Sequence, residues 1–128
     1  MYHGLMGIWF SAPKLAPEET ISLQVAANTF KGKRMIGGQI TVTNKRLIFR
    51  PNRLDGALGG NEISLKHVDI TGIQLSETGL AGIKKYGLGA SIHSPVNIAA
   101  GNQKIAITVK QPDLLIQVLH DEGVVNRE

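Results

Sequence analysis

Between Gly38 and Arg50 the chain reads GQITVTNKRLIFR, and its apolar positions recur every second residue. Ile40 and Val42 alternate with Thr41 and Thr43, and Leu47 and Phe49 alternate with Arg46, Ile48 and Arg50. A period of two is that of a strand with one buried face, so two strands are predicted with Ile40, Val42, Leu47 and Phe49 inward. Asn44-Lys45 stands between them as a two-residue hairpin connection. Such a connection favours positive φ at its first central residue, which Asn tolerates better than most side chains. The pair is therefore expected at an exposed tip.

The same reading extends along the chain. Residues 18–30 form a first strand, with Ile21, Leu23 and Val25 alternating against Ser22, Gln24 and Ala26. Lys31-Gly32-Lys33-Arg34 comes next as a turn, and Gly37-Gly38 predicts a bulge or strong bend ahead of the hairpin. Residues 51–61, rich in Gly, Asn and Pro, form a loop. Strand pattern resumes over 62–66, turns a corner at His67-Val68-Asp69 and continues over 70–76. After a glycine-rich stretch over 77–87, a weak strand is predicted at 88–93, interrupted by Pro95, with 96–99 continuing it at an edge. Gly101-Asn102 makes a turn into a strand over 103–110, with Ile105, Ile107 and Val109 inward. The period then changes. Pro112 suits the first position of a helix, Asp113 its positive end, and Leu114, Leu115, Val118 and Leu119 make an apolar stripe closed by Gly123. The result is about seven strands in hairpin order and one helix over 112–122, which can plug the open end of a small bent sheet.

These residues carry a resemblance. Gly38, the alternating apolar positions, Thr43-Asn44-x-Arg46, Ile48 and Phe49 resemble the G-x-L-x-L-T-x-x-R-L-I-F signature of GRAM domains. The E-I-x-L-x-x-V-x-I-x-x-I spacing from Glu62 is similar to the strand pattern C-terminal to that hairpin in the same family. The resemblance implies a mostly β, pleckstrin-homology-like domain: a seven-stranded bent antiparallel sheet or barrel capped by one C-terminal α-helix. It spans residues 18–122, leaving an apolar arm over 1–17 and a tail over 123–128. It also implies a site. In pleckstrin-homology-like folds the loop joining the first two strands can hold Lys and Arg around an inositol phosphate, and Lys31, Lys33 and Arg34 occupy that loop.

Composition narrows the chemistry. The 128 residues fit one domain with one core, and 42% hydrophobic with 19% charged residues is globular. Cysteine is absent, which excludes disulfides, thiolate metal sites and thiol nucleophiles. His3, His67, His93 and His120 share no metal-ligand spacing. Asp69 lies near His67, but no strained G-x-S-x-G elbow accompanies them. Gly82 and Gly87 have phosphate-loop spacing, yet Leu88 stands where Lys is required, so turns explain them better. No catalysis and no cofactor are expected. Residues 1–10 lack the basic leader and cleavage site of a signal peptide, and no run reaches the ~20 apolar residues of a membrane span. A soluble cytoplasmic protein is the default, peripheral at the inner membrane surface if its ligand is lipid. The arm, with Trp9 and Phe10, is expected to cover an edge of its own fold before serving as an exposed anchor.

Charge points to the partner. The net charge is +4, and Lys31, Lys33, Arg34, Lys45, Arg46, Arg50 and Arg53 form an acid-free run holding half of the 14 basic residues. Arg forks and Lys point charges suit phosphate oxygens, and Lys84, Lys85 and Tyr86 are a second basic loop able to wall the same mouth. Arg46 and Arg50 serve first as solvating charges that deter edge pairing. Nucleic acid ranks lower, because no aromatics interleave with these cations for stacking. Two readings stay open: peripheral binding of anionic phospholipid through Lys31, Lys33, Arg34, Lys84, Lys85 and Tyr86, or protein interaction and self-assembly through a sheet edge or the apolar arm.

Overall fold

The computed structural model describes residues 13–32, 34–53, 61–75 and 95–124. Expectations for the arm up to residue 12, for Lys33, for most of the 51–61 loop, for the strand at 88–93, for Lys84, Lys85 and Tyr86, and for the last four residues lie outside them. Among the described residues there are seven strands: β1 (Ile21–Lys31), β2 (Arg34–Thr43), β3 (Arg46–Pro51), β4 (Ile63–Lys66), β5 (Ile70–Leu75), β6 (Val96–Ala100) and β7 (Gln103–Val109), followed by α1 (Pro112–Asp121). They make one antiparallel sheet in the order β4-β3-β2-β1-β7-β6-β5.

That order dictates curvature. β4 and β5 are the two edges of the sheet, yet only the 3-10 turn His67–Asp69 joins them. Six inter-strand spacings of ~4.8 Å would put the edges of a flat sheet roughly 29 Å apart, while four residue steps reach at most about 14 Å. The sheet must therefore roll until its edges approach at the His67–Asp69 corner. The rolled interior is the core: Ile40, Val42, Leu47 and Phe49, all fully buried, meet Ile70, Ile98, Ile107 and, from α1, Leu115 and Leu119. This is the mostly β, seven-stranded, helix-capped architecture expected from the pattern.

Several local expectations are corrected. No bulge occurs at Gly37-Gly38, because the β1–β2 register runs unbroken from Leu23↔Val42 to Lys31↔Arg34. The glycine at 38 is required by a close approach instead: a Cβ there would lie 2.2 Å from the Arg50 carbonyl oxygen and 2.7 Å from the Phe49 ring. The register shift falls between Ile21 and Leu23, and it leaves Ile21 exposed. Ile48, on the outward parity of β3, is nonetheless buried, as is its register partner Thr41. β6 is no edge; it lies between β5 and β7, with Val96 and Ile98 buried.

The helix also differs in detail. Leu115 and Leu119, one turn apart, are buried, whereas Leu114 is 42% exposed. At its end Gly123 takes φ +91°, the Gly123 N–H donates to the His120 carbonyl at 2.9 Å and the Val124 N–H to the Leu119 carbonyl at 2.9 Å. This is the Schellman cap, in which the residue after the glycine packs back on the last turn. Val124 is accordingly buried in the core and does not belong to a frayed tail.

Candidate functional site

At one end of the barrel the β1–β2 connection brings basic groups together. Lys31 and Arg34 are cross-strand partners that close the turn, and both are exposed. Gly32 holds φ +66°, the left-handed conformation that a two-residue connection needs. The preceding pair, Phe30 and Met35, lies on the opposite face by strand alternation, and Met35 is 44% exposed. β3 ends beside this turn: Pro51 is paired with Gly38, the Asn52 N–H donates to the Gly37 carbonyl at 2.9 Å, and the next residue is exposed Arg53. The ladder also fixes where the other basic loop departs. Moving along β1 from Thr29 to Lys31 moves along β7 towards Gln103 and the β6–β7 turn, whereas the β5–β6 connection leaves from the Leu75↔Val96 pair at the other end of β6. Lys84, Lys85 and Tyr86 belong to that connection.

At the opposite end of β2 the hairpin tip is built by side chains reaching over long sequence distances. Glu18 is the one non-glycine with positive φ among the described residues, so Asn44 turns without the left-handed conformation expected of it. The Thr43 hydroxyl oxygen replaces it, accepting the Lys45 N–H at 3.1 Å and the Arg46 N–H at 3.0 Å, a Ser/Thr-type turn. Asn44 is used elsewhere: its Oδ1 accepts the Thr20 N–H at 2.9 Å and its Nδ2 donates to the Glu18 carbonyl at 3.2 Å.

Arg46 does not serve as a solvated surface charge. Its Nε donates to Glu19 Oε2 at 2.9 Å, and its Nη2 donates to Glu19 Oε1 at 3.1 Å and to the Lys14 carbonyl at 2.5 Å. The Glu19 side chain is 1% exposed and also receives the Thr43 hydroxyl at 2.6 Å and the Ala16 N–H at 2.9 Å. The Arg46 hydrogen bonds, reinforced by those of Thr43 and Ala16 against the cost of burial, hold the Glu19 carboxyl at about 2, far below its usual 4.5. Thr43, Asn44 and Arg46, the polar half of the hairpin signature, are thus a clamp on residues 14–20. At the other end of β3, Arg50 pairs with Glu62.

Solved structures share this architecture. The C-terminal domain of an unknown protein from Leishmania infantum is similar with a TM-score of 0.60 and 17% identity, over 83% of this chain and 85% of that one. The Vps36 N-terminal PH domain is similar with a TM-score of 0.58 and 15% identity, over 85% of each chain. The fold is pleckstrin-homology-like. No protein-family model and no curated protein matches the sequence.

Within this pleckstrin-homology-like frame, the described residues place Lys31 and Arg34 together at the β1–β2 turn; Lys33 lies within that turn, outside the described set. Sequence reasoning missed a second basic grouping. β4 pairs with β3 so that Lys66 faces Arg46, and the His67 N–H donates to the Lys45 carbonyl at 3.0 Å. Lys45 and Lys66 thereby come to line one cavity of about 610 Å³ at the clamp end. A separation of 21 residues hides such a pairing from any local pattern. Among the described residues no helix is long and apolar enough to cross a membrane.

Proposed function

We propose that this pleckstrin-homology-like domain is a non-enzymatic binding module that docks peripherally on anionic phospholipid through its β1–β2 turn. The observation that carries the proposal is the Lys31↔Arg34 register: two exposed cations face each other across a glycine turn, with an exposed methionine on the reverse face of the same tip. Cations attract an anionic surface, and an apolar side chain beside them can enter the interface. Lys33 completes the basic tip, and Arg53 adds charge at the same end. Lys84, Lys85 and Tyr86, on the β5–β6 connection that departs from the other end of β6, are left out of this contact. The GRAM-type hairpin signature supports a binding role, with its polar residues securing the fold and the ligand taken at the turn. Bound at the inner membrane surface, the domain is cytoplasmic. The test is sedimentation with neutral and anionic vesicles at two salt concentrations: binding to the anionic vesicles alone, weakened by salt, is expected because exposed charges are screened.

A second reading rests on a separate observation. β1 is bonded to β7 only over Ala27–Thr29, and beside the open part of β1 a groove of about 370 Å³ runs between Leu23, Val25 and exposed Leu114. A protein partner or a second copy of the chain docking there would make the domain an interaction module. Concentration-dependent light scattering without vesicle binding would favour it.

A further inference from the structure

We propose that the cavity enclosed by the β2–β3 tip, the β4–β5 corner and the end of α1 is a second anion site, which takes a phosphate group on Lys45 and Lys66. It lies at the opposite end of β2 from the β1–β2 turn and is independent of the reading given to that turn. Its volume, about 610 Å³, is that of a small-molecule site.

The charges around it are unequally committed. Arg46 and Glu19 line the cavity but neutralise one another through two hydrogen bonds, at 2.9 and 3.1 Å, and Glu122 accepts the Ser22 hydroxyl at 2.5 Å. Lys45 and Lys66 are different. Among the described residues neither ammonium has an acidic partner; Lys45 Nζ reaches only the Pro17 carbonyl, at 3.5 Å. Their backbones are locked together, since Lys66 faces Arg46 across the β3–β4 ladder and Lys45 accepts the His67 N–H. Two like charges held on a rigid frame at one cavity repel, and an oxyanion between them relieves that repulsion while gaining charge-assisted hydrogen bonds. A phosphate, with several oxygens, can meet both amines at once.

His67 shapes the wall of the site. It lines the same cavity, is 7% exposed, and its Nε2 lies 2.7 Å from the Thr43 carbonyl oxygen. A carbonyl only accepts, so Nε2 carries a proton. The ring's Nδ1 is buried without a hydrogen-bond partner among the described residues. The Nδ1 surface is closed off, so the anion is held by Lys45 and Lys66 and not by this ring. Val68, 70% exposed at the rim, adds an apolar lip.

The test is a titration of the isotope-labelled full chain with inorganic phosphate, monitored by amide shifts. Saturable shifts are expected at Lys45, Lys66, His67 and Gly123. Lys45→Gln with Lys66→Gln, both exposed positions, should weaken the affinity at least about tenfold, the effect of losing charge-assisted hydrogen bonds. Lys31→Gln with Arg34→Gln should leave these shifts unchanged, which separates this site from the β1–β2 turn. Vesicles of phosphatidylcholine with phosphatidic acid then assign the source. Loss of vesicle binding in the Lys45, Lys66 variant makes it a lipid headgroup, and unchanged vesicle binding beside lost phosphate binding makes it a soluble phosphate. Three results overturn the proposal: no saturable shifts, the same shifts in the double variant, or equal shifts from sodium chloride at matched ionic strength.

Discussion

Replacing Glu19 with Gln should destabilise the domain by a pH-dependent amount that can be worked out from its four hydrogen bonds. The carboxyl falls from 4.5 to about 2 in the folded protein, chiefly because Arg46 binds it in two places. At about 1.4 kcal/mol per unit this is roughly 3 kcal/mol, and partial exposure of Arg46 trims it towards 2. The folded group is the stronger acid, so its contribution is complete above the unfolded value near 4.5 and disappears as pH falls through about 2. More than half should be gone by about pH 3, where the folded carboxylate is still mostly ionised but the unfolded one is protonated. Urea unfolding monitored by circular dichroism at pH 7, 5, 4 and 3 reads this directly. The stability gap between the parent and Glu19→Gln should hold at about 2–3 kcal/mol from pH 7 to 5 and then shrink. A gap below about 0.5 kcal/mol at pH 7, or one that persists undiminished at pH 3, would refute the clamp as the cause.

The packing sets three further outcomes. Gly38→Ala should cost at least about 2–3 kcal/mol in urea unfolding, since the 2.2 Å approach to the Arg50 carbonyl involves backbone that cannot step aside; a neutral result would place the β2–β3 crossing further apart. Leu119→Ala should lower stability by about 2–5 kcal/mol, because the side chain is fully buried and cements the Schellman cap against the sheet. Glu18→Gly should raise the melting temperature slightly, by relieving about 1 kcal/mol of left-handed strain at φ 68°; a loss of stability would mean that the Glu18 side chain itself stabilises the fold by more than that strain costs.

Much of the fold was legible because burial here tracks strand period. Ile40, Val42, Leu47 and Phe49 are the inward set of one hairpin, and all four are fully buried. What escaped was whatever depends on partners distant in sequence. Glu19 reads as one more charge before a strand, and only the fold brings it to Arg46, 27 residues on. Gly38 reads as a bulge because a strand glycine has two common causes, and sequence does not disclose a neighbouring carbonyl. Ile48 sits on the outward parity yet is buried, which alternation alone cannot foresee. The candidate site divides in the same way. Lys31 and Arg34 are close in sequence and closed by a turn, so their meeting was readable; Lys45 and Lys66 meet through the β3–β4 ladder, which local pattern does not encode.

The central claim is that the β1–β2 turn carries binding to anionic membranes. The measurement that bears on it most directly compares the parent with the triple variant Lys31→Ala, Lys33→Ala, Arg34→Ala on anionic vesicles by surface plasmon resonance at low salt. Each basic group near such a surface contributes about 1 kcal/mol, so the variant should bind over a hundredfold more weakly, by roughly 3 kcal/mol in all, and unfold at an unchanged urea midpoint. Equal binding by the parent and the triple variant, or a parent that ignores anionic vesicles, would contradict it.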